Sequence, residues 1–424
     1  MGGFFDGAAE CEGLQTVFDA GRDTPELIDR VAADVPQIHE AISLLRDSLP
    51  LVPHSGVGPM GRFFRLPNHY RSVSYLLPAA TDDDPDAAAG AIVFKGTEPL
   101  LADFPAYFDW MMEAPFRASG LPLALHFPMD MKLPPAAMWI EECLAEQVVS
   151  SRLQNSYLQR HGRLARLPLP LFVFRMNPEQ NLRYETFVRS RIPADAYWKI
   201  KNKVADGLGV EVYYYPELPV RVADLFVGNV RETFKPALTP ELIEATFGKW
   251  TVLLAEMLCL DYMPFVPWHR GMGGCVDQGN VCIDGGFNDL LTLVPFDAIP
   301  DETAFRQSLS ATIRMLAESM AAMASASLGL PSPKGSSGND SDAVILAGTY
   351  VADQLREQVL SSERQGHAVD PRLKHFFDSP APADILDMLQ KAQRKRNRSS
   401  QFVGNSSMPI PFMQAETYGF AALA

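Results

Sequence analysis

Apolar residues recur at three- and four-residue steps through Leu27, Ile28, Val31, Val35, Ile38, Ile42 and Leu45, so residues from about 14 to 49 predict an N-terminal helical layer with one buried stripe. The period then changes. After the glycine- and proline-punctuated stretch LVPHSGVGPMGRFFRLP, the runs RSVSYLL and AIVFKG read as strands separated by the acidic turn TDDDPDAAAG. Helical spacing returns from about Ala136 to Gln159. LPLPLFVFRM then predicts a short buried strand, and YETFVRSRI a further extended piece.

Past Pro193 the chain offers VEVYYYPEL and a long amphipathic helix from about Glu241 to Tyr262, with Ile243, Phe247, Trp250, Leu254, Met257 and Leu258 on one side. The segment WHRGMGGCVDQGNVCIDGGFNDLLTLVPFDAIPD is a glycine-rich loop leading into two short strand candidates, VCID and LLTLV, joined at Gly285-Gly286. Helices from about Glu302 to Ala326 and Ala343 to Ser361 flank the polar linker PSPKGSSGNDSD, and a basic stretch KAQRKRNRSS follows. The expected class is α+β, with a helical extension over 1–50, a small mixed β-rich lobe over 51–192 and a mainly helical lobe over 193–424.

Composition narrows the function. A chain of 424 residues, 47% hydrophobic, can bury an extensive core and is long enough for two or three domains. Its formal charge of -14 repels nucleic acid and anionic lipid, so neither is an expected partner. The start MGGFFDGAAECEG has no basic and apolar leader pattern, and no run approaches the roughly 18 apolar residues of a spanning helix, which gives the cytoplasm as the expected location. Five scattered cysteines are an odd number and are expected to be reduced thiols. Cys275 and Cys282, with His269 nearby, have the wrong spacing for a zinc ribbon and read as small hydrophobes.

Three stretches can carry chemistry. Gly56, Gly58 and Gly61 form a literal G-x-G-x-x-G between two strand candidates, where backbone amides can approach phosphates because no Cβ intervenes. No clear helix follows, which removes the context of a dinucleotide fingerprint. Lys95 ends an apolar strand run, and Glu142 and Glu146 stand four apart on the next predicted helix, sharing one face. Asn280, with Asp277, Asp284, Asp289 and Asp297 nearby, offers oxygen ligands suited to Mg²⁺. Each signal alone has a bland reading: a turn, a surface lysine, a solvated acidic face, a solvated loop.

Their order adds information. GVGPMG, AIVFKG, the helix carrying EECLAEQ, and GCVDQGNVCID together resemble the protein-kinase-like superfamily, especially divergent members such as HipA-like kinases and selenoprotein-O-type adenylyltransferases, over roughly Val52 to Asp297. The resemblance implies two lobes and an ATP- and Mg²⁺-dependent transfer of phosphate or AMP to a small metabolite or a protein side chain. It also implies roles: Lys95 on phosphates, Glu142 or Glu146 orienting it, the glycine loop over the nucleotide, Asn280 with Asp297 or Asp284 on Mg²⁺, and Asp277 orienting the acceptor. The pattern departs from H-R-D-x-x-x-x-N, because Gly271 follows His269-Arg270 and Cys275 stands five before Asn280. Two alternatives therefore stand beside it: a haem- or metal-dependent biosynthetic oxygenase using His269, and a non-catalytic pseudokinase-like scaffold.

Overall fold

The computed structural model describes residues 4–5, 8–53, 58–66, 71–78, 88–109, 137–192, 194, 207–226, 238–264, 275–328 and 340–378. They fall into two compact units, one of residues up to Asn155 together with Pro168–Leu218, the other of Ser156–Leu167 and residues from Pro219 onward. The fold is mixed α+β around a multi-strand antiparallel sheet.

In the first unit, β1 (Ala9–Cys11) and β2 (Gln15–Asp19) precede three short helices, α1 (Ala20–Asp23), α2 (Pro25–Asp34) and α3 (Gln37–Asp47). There follow β3 (Leu49–Leu51), β4 (Gly58–Met60), β5 (Phe63–Arg65), β6 (Ser72–Pro78), β7 (Ala88–Lys95) and β8 (Met138–Trp139). The helix α4 (Ile140–His161) crosses the division between units, and β9 (Leu169–Arg175), α5 (Pro178–Arg191) and β10 (Leu208–Tyr215) complete the first. The sheet order is β2-β9-β10-β7-β6-β5-β4, with β8 added on β10. All eight residues of β10 are buried, which explains its nearly continuous apolar run: a central strand covered on both faces has no solvent side to mark by alternation.

Alternation along β7 sorts the two faces. Phe94 shares one with Phe5, Phe63 and Tyr75, whose rings pack edge-on or tilted against one another, as Phe63 does on Tyr75 at 5.0 Å. Lys95 points to the other face.

The second unit contains α6 (Pro240–Leu258), the short pair β11 (Tyr262–Pro264) and β12 (Leu293–Pro295), and the helices α7 (Glu302–Ser327), α8 (Asp340–Arg364) and α9 (Pro371–Asp378). Asp301 and Thr239 cap α7 and α6 by accepting from Ala304 and Leu242 backbone N–H groups. Among the described residues, no helix is long and apolar enough to cross a membrane.

Several expectations are corrected. Gln15–Asp19 is a strand paired with β9, so the helical layer begins only at Ala20. YETFVRSRI, read as extended, lies in α5, because Asn177 and Gln180 form a reciprocal capping box with Pro178 in the first turn. Residues 208–215 sit at the centre of the sheet, which draws them to the strands before 193 rather than to a helical lobe after it. LLTLV does not pair with VCID. Its last two residues, Leu293 and Val294, join β11 together with Pro295, while Val281 bridges Phe287 and Cys282 bridges Arg221.

Candidate functional site

Lys95 is the last residue of β7, directly opposite Ser72 on β6 and Glu211 on β10. Residues directly paired in an antiparallel ladder project to the same face, so Ser72, Lys95 and Glu211 make one row across three strands, and all three are buried. The N-terminal part of α4 lies on this face. A Cβ added to Gly209, two residues before Glu211, would meet Cys143 Sγ and Ile140 Cδ1 at 3.0 Å and Ile140 Cα at 3.1 Å, so glycine there is what lets helix and strand approach.

That approach brings Lys95 Nζ to 2.7 Å from Glu146 Oε2, with the two side chains 5% and 0% exposed. Glu142, one turn earlier on α4, is also buried, and its carboxylate accepts from the Trp139 backbone N–H at 3.5 Å. Of the two glutamates offered by the i, i+4 spacing, Glu146 forms this ion pair, and Glu142 sits at the helix start, where the macrodipole favours an acid. Between them Cys143 is fully buried. Burial, reinforced by the Glu211, Glu146 and Glu142 carboxylates and opposed by Lys95, pushes its thiol well up and keeps it protonated. Glu211 is the residue that sequence reasoning missed. A lone acid inside the apolar run VEVYYY was the available signal.

Elsewhere in this unit Arg65 and Glu98 form a second buried pair at 2.8 Å, with the Arg65 guanidinium 4.9 Å above the Tyr107 ring. Gly58 lies in β4 and Gly61 occupies the first position of the two-residue Gly61-Arg62 turn to β5, with φ +62. A positive φ at the first central residue alone matches a type II′ hairpin. Gly56 lies outside the described residues.

In the second unit the residues around Asn280 form a tightly bonded turn. The Asp277 carbonyl accepts from the Asn280 and Val281 N–H groups at 2.7 and 2.9 Å, its Oδ1 accepts from Gly279 N–H at 2.8 Å, and the Asn280 carbonyl accepts from Asn288 N–H at 2.8 Å. Three side chains of α6 at helical spacing grip the following hairpin: Thr246 Oγ1 donates to the Ile283 carbonyl at 3.0 Å, Trp250 Nε1 to the Cys282 carbonyl at 2.9 Å, and Lys249 Nζ to the Asp284 carbonyl at 3.2 Å. Ser319 on α7 donates to the Val276 carbonyl at 2.8 Å. The loop that carries Asn280 is thus backbone-anchored on two helices, a role for Trp250 and Thr246 that periodicity alone could not separate from core packing.

Asp284 is buried, with Oδ1 accepting from Gly286 N–H at 3.1 Å and Arg166 nearby at 3.9 Å, so its carboxylate helps close the hairpin turn. Asp289 likewise accepts from Leu291 N–H. Asp297 is exposed on the single turn Phe296–Ala298 that follows β12. Its charge, after burial and Asp370, helps hold the Asp261 carboxyl above its ordinary range, against Arg372. Cys275 and Cys282 are fully buried, and burial pushes the Cys275 thiol up. Among the described residues, no group of three or more His, Cys, Asp or Glu side chains is placed to hold one metal ion, while His269 lies outside them. Mg²⁺, which keeps waters and takes one or two protein carboxylates beside substrate phosphates, does not require such a group.

The structure thus brings Lys95, Glu142, Glu146 and Glu211 together in the first unit, and Asp277, Asn280 and Asp284 along one turn and hairpin of the second. No protein-family model matches the chain, and comparison with curated proteins and with solved structures returns no match.

Proposed function

We propose that the protein is an ATP- and Mg²⁺-dependent transferase of the two-lobed, protein-kinase-like kind, moving phosphate or AMP to a small metabolite or protein side chain. The observation that carries the reading is the buried Lys95–Glu146 ion pair at 2.7 Å between a strand end and a helix. A kinase-like site needs this coupling, because an ammonium on a flexible stem grips phosphate oxygens productively only when a carboxylate fixes it.

In this reading Lys95 engages the nucleotide phosphates, Glu146 orients it, and Glu142 seats the helix that carries Glu146. Asn280 and the exposed Asp297 supply oxygen to Mg²⁺, which neutralises charge developing on the transferred group. Asp284, spent on the hairpin turn, is the weaker metal candidate. Asp277 has one carboxylate oxygen held by Gly279 N–H, which leaves it a positioning role for the acceptor. The fully buried, protonated Cys275 five residues before Asn280 cannot serve as a base, and this favours AMP transfer, or a nucleotide-binding scaffold, over hydroxyl phosphorylation.

The test is incubation with γ-labelled and, separately, α-labelled ATP plus Mg²⁺, with thermal melting in parallel. Label on an acceptor identifies the group moved, and saturation at about a hundred times Kd stabilises the fold by roughly 2.7 kcal/mol. Asp297→Ala, at an exposed position, is expected to melt like the wild type and to lose label transfer by about a hundredfold or more. Neither label transferred, together with no Mg·ATP-dependent rise in melting temperature, refutes the proposal.

A further inference from the structure

A second feature lies wholly within the second unit. A cavity of ≈ 330 Å³ is lined by Arg163, Arg166 and Lys249 together with Gly248, Val252 and Leu253, and no carboxylate side chain is among its lining residues. Three cations converging on one concavity run against the background of a chain with formal charge -14.

Their placement is fixed from outside the cavity. Arg163 lies over the Tyr157 ring at 5.4 Å, which holds its guanidinium without using its hydrogen-bond donors. Lys249 Nζ and Arg166 Nη1 both donate to the Asp284 carbonyl, and Arg166 is partly neutralised by the Asp284 carboxylate at 3.9 Å. The rest of the wall comes from Tyr157, Gly285 and, on the helix that carries Lys249, the apolar Ala245, Val252 and Leu253.

Gly248 supplies the second, independent observation. It sits in the middle of α6, where glycine weakens a helix relative to alanine. A Cβ built there meets nothing within 4 Å, and its φ is not left-handed, so neither packing nor backbone conformation requires glycine. What the missing side chain preserves is open space, beside the three cations.

We infer that this cavity is a binding site for a small organic anion, its phosphate or carboxylate head held by Arg163, Lys249 and Arg166 and its apolar body lying over Gly248, Val252 and Leu253. Charge-assisted hydrogen bonds supply orientation, and the apolar wall distinguishes such a ligand from a bare inorganic anion. Binding here does not depend on the nucleotide reading, since no residue of the Lys95 row contributes.

Calorimetric titration of the full chain with phenyl phosphate at low ionic strength tests it. Binding is expected to weaken about tenfold or more in Arg163→Ala, which removes one charge-assisted contact, and in Gly248→Leu, whose side chain fills the space. Gly248→Leu should melt at or above the wild-type temperature, because leucine is the better helix former. Phenol and inorganic phosphate should each bind about tenfold more weakly than phenyl phosphate. No binding of phenyl phosphate, undiminished binding to Gly248→Leu, or equal affinity for inorganic phosphate would overturn the assignment. Asp297→Ala should keep phenyl phosphate affinity, so loss of Mg·ATP response and loss of anion binding are read separately.

Discussion

Replacing Lys95 by methionine tests the physics on which the first half of the site depends. The two side chains of the Lys95–Glu146 pair are 5% and 0% exposed, so water cannot take over solvation of Glu146 when the ammonium is removed. Deleting one partner of a buried pair costs about 3–5 kcal/mol, a large part of the roughly 5–15 kcal/mol that holds a domain folded. With a urea slope of about 2 kcal/mol/M, the midpoint of the transition for this unit should fall by roughly 2 M. Glu146→Gln should cost less, because the neutral amide still accepts from Lys95 and the Glu142 and Glu211 carboxylates remain in the same surroundings. The double variant Lys95→Met/Glu146→Leu fills the space with apolar volume and removes both desolvated charges. It should recover part of the loss, as buried pairs replaced by packed hydrophobes commonly do, while the buried Glu211 carboxylate opposite Lys95 remains and limits the recovery. Urea unfolding of the wild type, Lys95→Met, Glu146→Leu and the double gives the coupling directly. A midpoint for Lys95→Met equal to the wild type, or a double variant as unstable as the sum of its singles, refutes the description of the pair as dry and mutually dependent.

Two further outcomes follow from the geometry. Gly209→Ala places a Cβ 3.0 Å from Cys143 Sγ and 3.1 Å from Ile140 Cα, and such overpacking should destabilise by about 1–3 kcal/mol in urea unfolding. Adding Cys143→Ala should restore only part of this, since the Ile140 contact is backbone. Asp261, at φ 63, has its carboxyl held up by burial first and then by Asp370 and Asp297. The folded state therefore binds this proton more tightly than the unfolded chain, and the stability so gained at low pH is lost as pH rises from the ordinary carboxylate range through the raised value. Asp261→Asn keeps the shape and tolerates left-handed backbone, so it should raise the melting temperature at neutral pH, with the gain vanishing towards about pH 3. An equal gain at both pH values would contradict this.

The sequence by itself determined the local elements whose period is strong: the stripe through α2 and α3, the helices α4, α6 and α7, and the buried strands β6, β7 and β9. It also placed Glu142 and Glu146 on one helix face, because helical spacing is a local property of the chain, while their pairing with Lys95 was an expectation from the resemblance alone. It misjudged α5, whose low apolar content hid a helix set by its capping box, and it paired LLTLV with the wrong strand. Only the tertiary structure decided that Glu146 pairs with the lysine at 2.7 Å, that Glu211 stands beside it across the ladder, and that β10 lies at the centre of the sheet. Those outcomes depend on strand register and on how closely α4 approaches Gly209, and neither is encoded in any window of neighbouring residues. The same holds for Gly248. In sequence it is a weak point in a helix, and its consequence, room beside three cations, exists only once Arg163 and Arg166 have been brought to α6 from about 80 residues away.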